Sequence, residues 1–158
     1  MTSHERLLEK NSVRHFYKGR NMKYSFVIKG KFYGENTFPC LNNYLAEMGR
    51  HPIQGAKMKK DFMMIASNAI RRQLPKVHIE SPVHIHYVYY EANKRRDPSN
   101  IAAMGAKVIE DALQQCGVLP NDGWANIAGY SQEFHVDKDN PRIEVYLEEI
   151  EEKEIEHE

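Results

Sequence analysis

Hydrophobic and polar residues alternate with a period of two in four segments of the chain, and this alternation predicts β-strands. The strands are expected at residues 23–33, 83–90, 127–136 and 141–150. Within the second strand, alternate residues from Val83 to Tyr89 are expected to share one face. The tetrapeptide 137–140 between the last two strands has the composition of a turn, so these strands are expected to form a hairpin.

A period of 3.6 residues in the apolar positions predicts two long helices, from Ala56 to about Gln73 and from Asn100 to about Gln115. A shorter helix ending at Gly49 could precede them. Ser99 is a suitable N-cap for the second long helix, and Gly117 is a suitable stop at its other end. The order strand, helix, strand, helix, strand, strand predicts an α+β fold, in which helices pack on a single mixed sheet.

The length and the distribution of charge indicate one folded domain with charged ends. At 158 residues the chain suits a single domain, expected at 23–150 between a flexible basic segment, 1–22, and an acidic tail, 151–158. The net charge is zero, but residues 145–158 contain seven Glu and only one Lys. The rest of the chain has 21 Lys and Arg against 15 Asp and Glu, a net charge of +6. A basic body of this kind fits an anionic partner.

The sequence gives no sign of a membrane protein or of a cysteine-ligated metal. No apolar run approaches the roughly 20 residues that cross a bilayer, and the polar N-terminus lacks an apolar signal region. A cytoplasmic location is therefore expected. Cys40 and Cys116 lack the spacing of metal ligands, and we expect both to be reduced and packed.

The most informative chemistry lies between the second strand and the helix that follows it. Lys94, Arg95 and Arg96 directly precede Asp97, and a second acid, Asp122, lies in a turn beyond the helix. Carboxylates can hold a hard divalent ion and cations can hold phosphates, as a metal-dependent enzyme acting on a polyphosphate requires. Each acid also has an ordinary explanation, Asp97 as a helix N-terminal acid and Asp122 as a turn residue.

Taken in order, these residues resemble the RusA family of Holliday junction resolvases, in its phage-type branch. The resemblance is carried by Arg96-Asp97-x-x-Asn100, by Lys107 with Asp111-Ala112-Leu113, and by Gly117-Val118-Leu119-x-x-Asp122. Pro39-x-x-Asn42 and residues 55–60 are also similar, so the resemblance covers about 24–150. It implies a small homodimeric endonuclease of DNA recombination and repair, often encoded in prophages, that acts on four-way junctions with Mg²⁺ or Mn²⁺.

The resemblance also implies roles for particular residues. Asp97 and Asp122 would be metal ligands, and Lys107 would be the catalytic lysine. About four extra residues within 101–106 separate Lys107 from Asp97, compared with the family pattern. The residues expected to bind DNA are Lys94, Arg95, Arg96, Lys57, Lys59, Lys60 and Asn100.

Ser99 departs from the family pattern, which has Asp-x-Asp-Asn where this chain has Asp97-Pro98-Ser99-Asn100. The Ser99 hydroxyl can contact a metal or hold a metal-bound water, but it carries no charge, so weaker Mg²⁺ binding is expected. Glu91 could complete the metal site or could be a solvated strand end. Three functions stay open: a metal-dependent junction resolvase, a non-catalytic junction or nucleic-acid binder on the same fold, and a general nucleotide or RNA hydrolase.

Histidines and tyrosines on the strands give weaker signals. His84 and His86 are spaced to share one strand face and, together with His135, could bind zinc, although such residues are more often half-buried sheet positions. Tyr87 and Tyr89 could stack on bases or could belong to the core.

Overall fold

The computed structural model of the protein describes residues 24–29, 38 and 41–150. In chain order the elements are β1 (Tyr24–Lys29), α1 (Leu41–Arg50), α2 (Pro52–Gln73), β2 (Val83–Glu91), α3 (Pro98–Gln115), β3 (Ile127–Val136) and β4 (Arg142–Glu149). One mixed four-stranded sheet carries the helices, which confirms the α+β class. The predicted basic segment 1–22, the acidic tail 151–158, Pro39 and Cys40 lie outside the described residues. In the described part of the chain, no helix is both long and apolar enough to cross a membrane.

The sheet has the strand order β1-β4-β2-β3, so neighbours in sequence are not always neighbours in space. β2 pairs in parallel with β3, and this pairing ends with Glu91 opposite Val136. On its other side, β2 pairs antiparallel with β4. β4 also pairs antiparallel with β1, which places Phe26 opposite Val145. The last strand of the sequence therefore occupies an interior position of the sheet.

The predicted hairpin between the last two strands is wrong, because β2 lies between β3 and β4. The connection 137–141 instead passes over the C-terminal end of β2, where the Asp137 N–H donates to the Glu91 carbonyl at 2.8 Å. Arg142 holds this crossing by donating to the Asp137 carboxylate at 2.8 Å and to the Asn140 carbonyl at 3.0 Å. A turn-like tetrapeptide reverses the chain, but it does not determine which strand the returning segment pairs with.

The core lies between the helices and one face of the sheet. Alternate residues of β2 from Val83 to Tyr89 are at most 1% exposed, as their alternation predicts. They belong to one cluster with Phe62 of α2 and Val108 of α3. A Cβ added to Gly105 of α3 would lie 3.1 Å from Tyr89 Cε1, so glycine allows the helix to approach the sheet at that point. This packing fixes α3, which carries most of the candidate site, over β2.

The first turn of α3 differs from the prediction. Pro98 is its first residue and Asp97 is the N-cap, so Ser99 lies inside the helix and the prediction that Ser99 is the cap is wrong. The Asp97 carbonyl accepts the Asn100 N–H at 3.1 Å, whereas the Asp97 side chain makes no capping hydrogen bond. At the other end, Gly117 follows the helix with a φ of 74°, which confirms the predicted stop.

Candidate active site and DNA-binding surface

The C-terminal end of β2 carries a buried ion pair. Glu91 is 8% exposed, and its Oε1 accepts hydrogen bonds from Arg96 Nε at 3.0 Å and from Arg96 Nη2 at 2.5 Å. Arg96 Nη1 donates to the Phe38 carbonyl at 2.5 Å. The interpretation of Glu91 as a solvated strand end is therefore wrong. Glu91 and Arg96 thus hold each other at the end of β2, and we assign this buried pair a structural role.

Other predicted DNA-binding residues lie at the surface. Lys94 and Arg95 are exposed on the loop between β2 and α3, where the Arg95 N–H donates to Asn93 Oδ1 at 3.0 Å and bends the chain. Asp97, at the end of this loop, is also exposed. The first half of α2 adds three exposed cations: Lys57, Lys59 and Lys60.

Halfway along α3, Lys107 connects two separate parts of the motif. Its Nζ lies 3.1 Å from Asp111 Oδ1, one turn further along the helix, and 3.7 Å from Asp122 Oδ2, in the turn after the helix. The hydrogen bond to Asp111 and the charge of that carboxylate raise the pKa of Lys107, and the charge of Asp122 raises the pKa further. Slight burial lowers the pKa of Lys107 but does not cancel this rise. The ammonium is therefore protonated at neutral pH and can act only as a cation.

Glu110 borders the same cluster, and the sequence analysis did not identify it. Burial raises the pKa of Glu110, and the nearby charges of Asp122 and Asp111 raise it further, although the Tyr130 hydrogen bond and Lys107 act in the opposite direction. The pKa of Tyr130 rises to about 12 because of burial and its hydrogen bond to Glu110. Glu110 follows Lys107 by three positions, and residues three positions apart are neighbours on a helix. This spacing could have identified Glu110 from the sequence.

Asp97 lies apart from this cluster along the helix axis. α3 is helical throughout Pro98–Gln115, so the ten positions from Asp97 to Lys107 span about 15 Å. Compared with the family pattern, this chain has roughly four extra residues between Asp97 and Lys107, which amount to about one helical turn. Lys107 therefore stays on the same face of the helix as in that pattern but lies about 6 Å further from Asp97. The structure thus brings Lys107, Asp111 and Asp122 together, and the ion pairs of Lys107 do not include Asp97.

Asp97 and Asp122 offer two hard oxygen ligands for a divalent cation. The Asp97 carboxylate is exposed and makes no capping bond, and the side chain of Asp122 is 41% exposed. Among the described residues, no three His, Cys, Asp or Glu side chains form a group that could hold a metal ion. Mg²⁺ often uses only one or two carboxylates and completes its shell with waters and substrate phosphates. Asp97 and Asp122 could each offer one carboxylate to such a cation, and Ser99 is exposed in the helical turn next to Asp97, but the structure does not bring the Asp97 carboxylate to the pair formed by Lys107 and Asp122.

The histidines of the sheet are linked to one another through Ser131 and Glu133. His84 and His86 share a face, as predicted, and both contact Ser131 Oγ, at 2.8 and 2.5 Å. His86 Nε2 lies 2.7 Å from Glu133 Oε2, and His135 Nε2 lies 3.7 Å from the other oxygen of that carboxylate. This arrangement favours the interpretation of these histidines as polar sheet positions rather than zinc ligands.

Trp124 is a second surface feature that the sequence analysis missed. It is the single tryptophan of the chain, it lies two residues after Asp122, and it is 98% exposed. A tryptophan so exposed is unusual. The turn therefore presents both a carboxylate and an indole to solvent.

No model of a protein family matches the chain, and none of the curated proteins does. The similarity to RusA resolvases therefore rests on the motif residues and their order along the chain.

Proposed function

We propose that this protein is a divalent-metal-dependent, structure-selective DNA endonuclease that resolves Holliday junctions during recombination or repair in the cytoplasm of a bacterial or phage-infected cell. The observation that carries the proposal is the approach of Lys107 to Asp122, at 3.7 Å. The RusA-like motif names these two residues as catalytic partners, although 15 positions separate them in sequence. Their approach supports the later part of the motif, from Lys107 to Asp122, as a spatial unit.

Within this proposal, each residue of the cluster has a chemical role. The Lys107 ammonium stabilises the negative charge that develops on the scissile phosphate or on the leaving oxygen. Asp111, which accepts its hydrogen bond, orients the ammonium. Asp97 and Asp122 would be the carboxylate ligands of Mg²⁺ or Mn²⁺, and such an ion would lower the pKa of an attacking water and polarise the phosphate.

The exposed cations supply affinity for DNA. Lys94 and Arg95 lie just before Asp97 and are exposed, and α2 carries the exposed lysines Lys57, Lys59 and Lys60. Contacts of this kind go to backbone phosphates, so they bind without reading base sequence. Because a four-way junction is cut symmetrically, the proposal also includes a two-fold homodimer.

A cleavage assay on a labelled four-way junction tests the proposal. In Mg²⁺ or Mn²⁺ the wild type should release nicked duplexes, and Asp97→Asn and Asp122→Asn should each abolish cleavage while leaving junction binding nearly unchanged. Asp139→Asn, at an exposed aspartate of the β3–β4 connection, is the matched control and should cut normally. Cleavage by Asp97→Asn at the wild-type rate would show that the metal site is wrongly assigned. Duplex and single-stranded DNA and RNA, tested alongside, distinguish a general hydrolase.

A second candidate is a non-catalytic junction-binding protein on the same fold. One observation favours it: Ser99 stands where the family pattern has its second acid. This candidate predicts that the wild type retards a junction on a gel but cuts it in neither metal.

A further inference from the structure

The turn between α3 and β3 holds the indole of Trp124 in solvent. Trp124 is 98% exposed, so its ring contacts almost nothing of its own chain. Between residues 117 and 128 it is the only exposed large apolar side chain. Tryptophan is among the side chains that bury most apolar surface when they enter a core or an interface. An indole that adds almost nothing to the fold is therefore available in full to a partner.

The backbone that carries Trp124 is held by hydrogen bonds on both sides. The Gly123 carbonyl accepts the N–H of Asn126 at 3.0 Å and the N–H of Ile127 at 2.9 Å, so the chain turns tightly around Trp124. Asn126 is buried, and its carbonyl accepts the Val83 N–H at 2.9 Å, which ties the turn to the start of β2. A side chain presented on a supported turn loses less conformational freedom when a ligand binds than one on a free loop.

The same turn places the indole next to the candidate active site. Asp122 Oδ2 lies 3.7 Å from Lys107 Nζ, and Trp124 follows Asp122 by two residues. The Cα atoms of Asp122 and Trp124 are therefore at most about 7 Å apart. If a DNA phosphate lies beside Lys107, a base attached to that part of the strand is within reach of the indole.

Tyr130 is another aromatic residue near Asp122, but it is engaged within the chain. Its ring stacks on Tyr87 with the ring centroids 6.5 Å apart. Burial, the hydrogen bond with Glu110, the charge of Glu110 and the charge of Asp122 raise the pKa of Tyr130 to about 12. Tyr130 is therefore neutral and held against the sheet. Of these two aromatic residues, Trp124 is the one whose ring faces are both open to a ligand.

The surroundings of the indole fit a nucleobase better than a protein partner. A protein interface buries a central anchor together with many surrounding residues, whereas this turn offers one ring among small and polar side chains. A single aromatic ring can stack on any base, because every base has a π-face. In a continuous duplex those faces are covered by the neighbouring bases, so a base must be unstacked before an aromatic side chain can stack on it. A branch point in DNA is a place where stacking is interrupted.

We propose that Trp124 stacks on an unstacked base at the branch point of the bound DNA, beside the phosphate at Lys107, and that this contact distinguishes a junction from a continuous duplex. The proposal rests on the DNA-binding function proposed above and adds the group that recognises the branch. The exposed lysines and arginine bind the backbone of any DNA, so by themselves they give affinity without a preference for the branch point. The stack supplies that preference, because it forms only where a base face is accessible.

Tryptophan fluorescence tests this contact directly, because Trp124 is the single tryptophan of the chain. The full chain is titrated in EDTA, so that no DNA is cut, with a four-way junction and with a continuous duplex of the same arm sequence. Anisotropy of labelled DNA gives the fraction bound in each titration. At equal saturation, the junction should quench the indole emission and shield the indole from acrylamide, and the duplex should do neither. Equal quenching by the two DNAs, or quenching by neither, would overturn the proposal.

Substitutions of Trp124 measure what the ring contributes. Trp124→Ala should weaken junction binding by about fivefold to a hundredfold, the range expected for one base–aromatic stack, and should leave duplex binding within about twofold of the wild type. Trp124→Phe keeps a flat ring and should recover most of the junction affinity. Ile53→Ala, which shortens a side chain that is 86% exposed in α2, is the matched control and should bind both DNAs like the wild type. Junction binding by Trp124→Ala that equals the wild type would refute the stack.

The outcomes separate this contact from the proposed nuclease activity. Normal junction binding and cleavage by Trp124→Ala, without quenching of the wild type, would leave the nuclease proposal in place and refute the stack. Selective quenching by the junction without cleavage in either metal would support the stack and favour the non-catalytic junction binder. A wild type that binds neither DNA would refute both proposals, and the indole would then belong to a different kind of interface.

Discussion

Replacing the Arg96 guanidinium should destabilise the fold far more than replacing the adjacent Arg95. Arg96→Met keeps most of the side-chain stem but removes both hydrogen bonds to Glu91 and the one to the Phe38 carbonyl. The side chains of the pair are only 15% and 10% exposed, so solvent screens them little. Removing one partner of a buried pair leaves an uncompensated charge and costs about 3–5 kcal/mol. That is a large share of the roughly 5–15 kcal/mol by which domains are stable, and it corresponds to a fall in Tm of roughly 10 °C.

Urea unfolding followed by far-ultraviolet circular dichroism measures this effect, since the exposed Trp124 reports poorly on burial. Arg95→Met is the control and should change the free energy of unfolding by less than about 0.5 kcal/mol. In Glu91→Gln/Arg96→Met no charge is left buried, so the double variant should regain much of the loss. If Arg96→Met costs less than about 1 kcal/mol, as exposed pairs do, the pair is not structural. Glu91 and Arg96 would then be available for metal and DNA.

Three further predictions concern the metal, the DNA and pH. Ser99→Asp should raise junction cleavage in Mg²⁺, because a site with fewer carboxylates binds hard cations weakly. The wild type should cut better in Mn²⁺ than in Mg²⁺, because Mn²⁺ tolerates looser geometry. Cleavage that is already saturated at low Mg²⁺ concentration for both proteins would contradict this prediction. Junction affinity, measured by fluorescence anisotropy, should fall with salt with a log–log slope of about −4 to −5 if about five phosphates are contacted, and a flat response would rule out backbone-dominated binding. Burial alone would raise the pKa of Asp137, but hydrogen bonds from Arg142 and from the Asn140 backbone, with the Arg142 charge, bring it below its ordinary value of 3.8. The Asp137 carboxylate therefore stabilises the fold above that ordinary value, and this stability is lost as pH falls through the lower folded pKa. Asp137→Asn should flatten the dependence of the unfolding free energy on pH below about 4. An unchanged slope would contradict the stabilising role of the Asp137 carboxylate.

Periodicity predicted the elements of this fold but not all their neighbours. The 3.6-residue pattern ends α2 at Gln73 and α3 at Gln115, as observed, because a helix is stabilised by neighbours in sequence. Alternation likewise grouped the β2 residues that face the helices, although it did not show that most of the opposite face is buried as well. It could not show that β4 inserts between β1 and β2, since strand pairing is non-local and a period of two defines faces rather than partners. The hairpin error follows from that limit.

In the candidate site, the order of motif residues anticipated one contact and missed another. The motif grouped Lys107 with Asp122, which lie together. The sequence analysis assigned Arg96 to DNA binding and left Glu91 as a metal ligand or a solvated strand end, whereas the loop folds the Arg96 guanidinium back onto Glu91 at the strand end. A side chain's direction in a loop depends on tertiary packing, which sequence spacing does not contain. Pro98, in contrast, marked the true start of α3, because proline is favoured at the first helical position, and it could have identified Asp97 as the N-cap.

The interior position of β4 has a consequence for synthesis on the ribosome. Among the described strands, β1 pairs only with β4, and Phe26 meets Val145 across 119 positions of sequence. Of these strands, β1 is translated first but has no strand partner until β4 emerges, so the sheet cannot close while the C-terminal segment is still in the exit tunnel. In a nascent chain that stops before Arg142, Gln73 of α2 could still hydrogen-bond Val27 of β1, but no described strand would join β1 to β2.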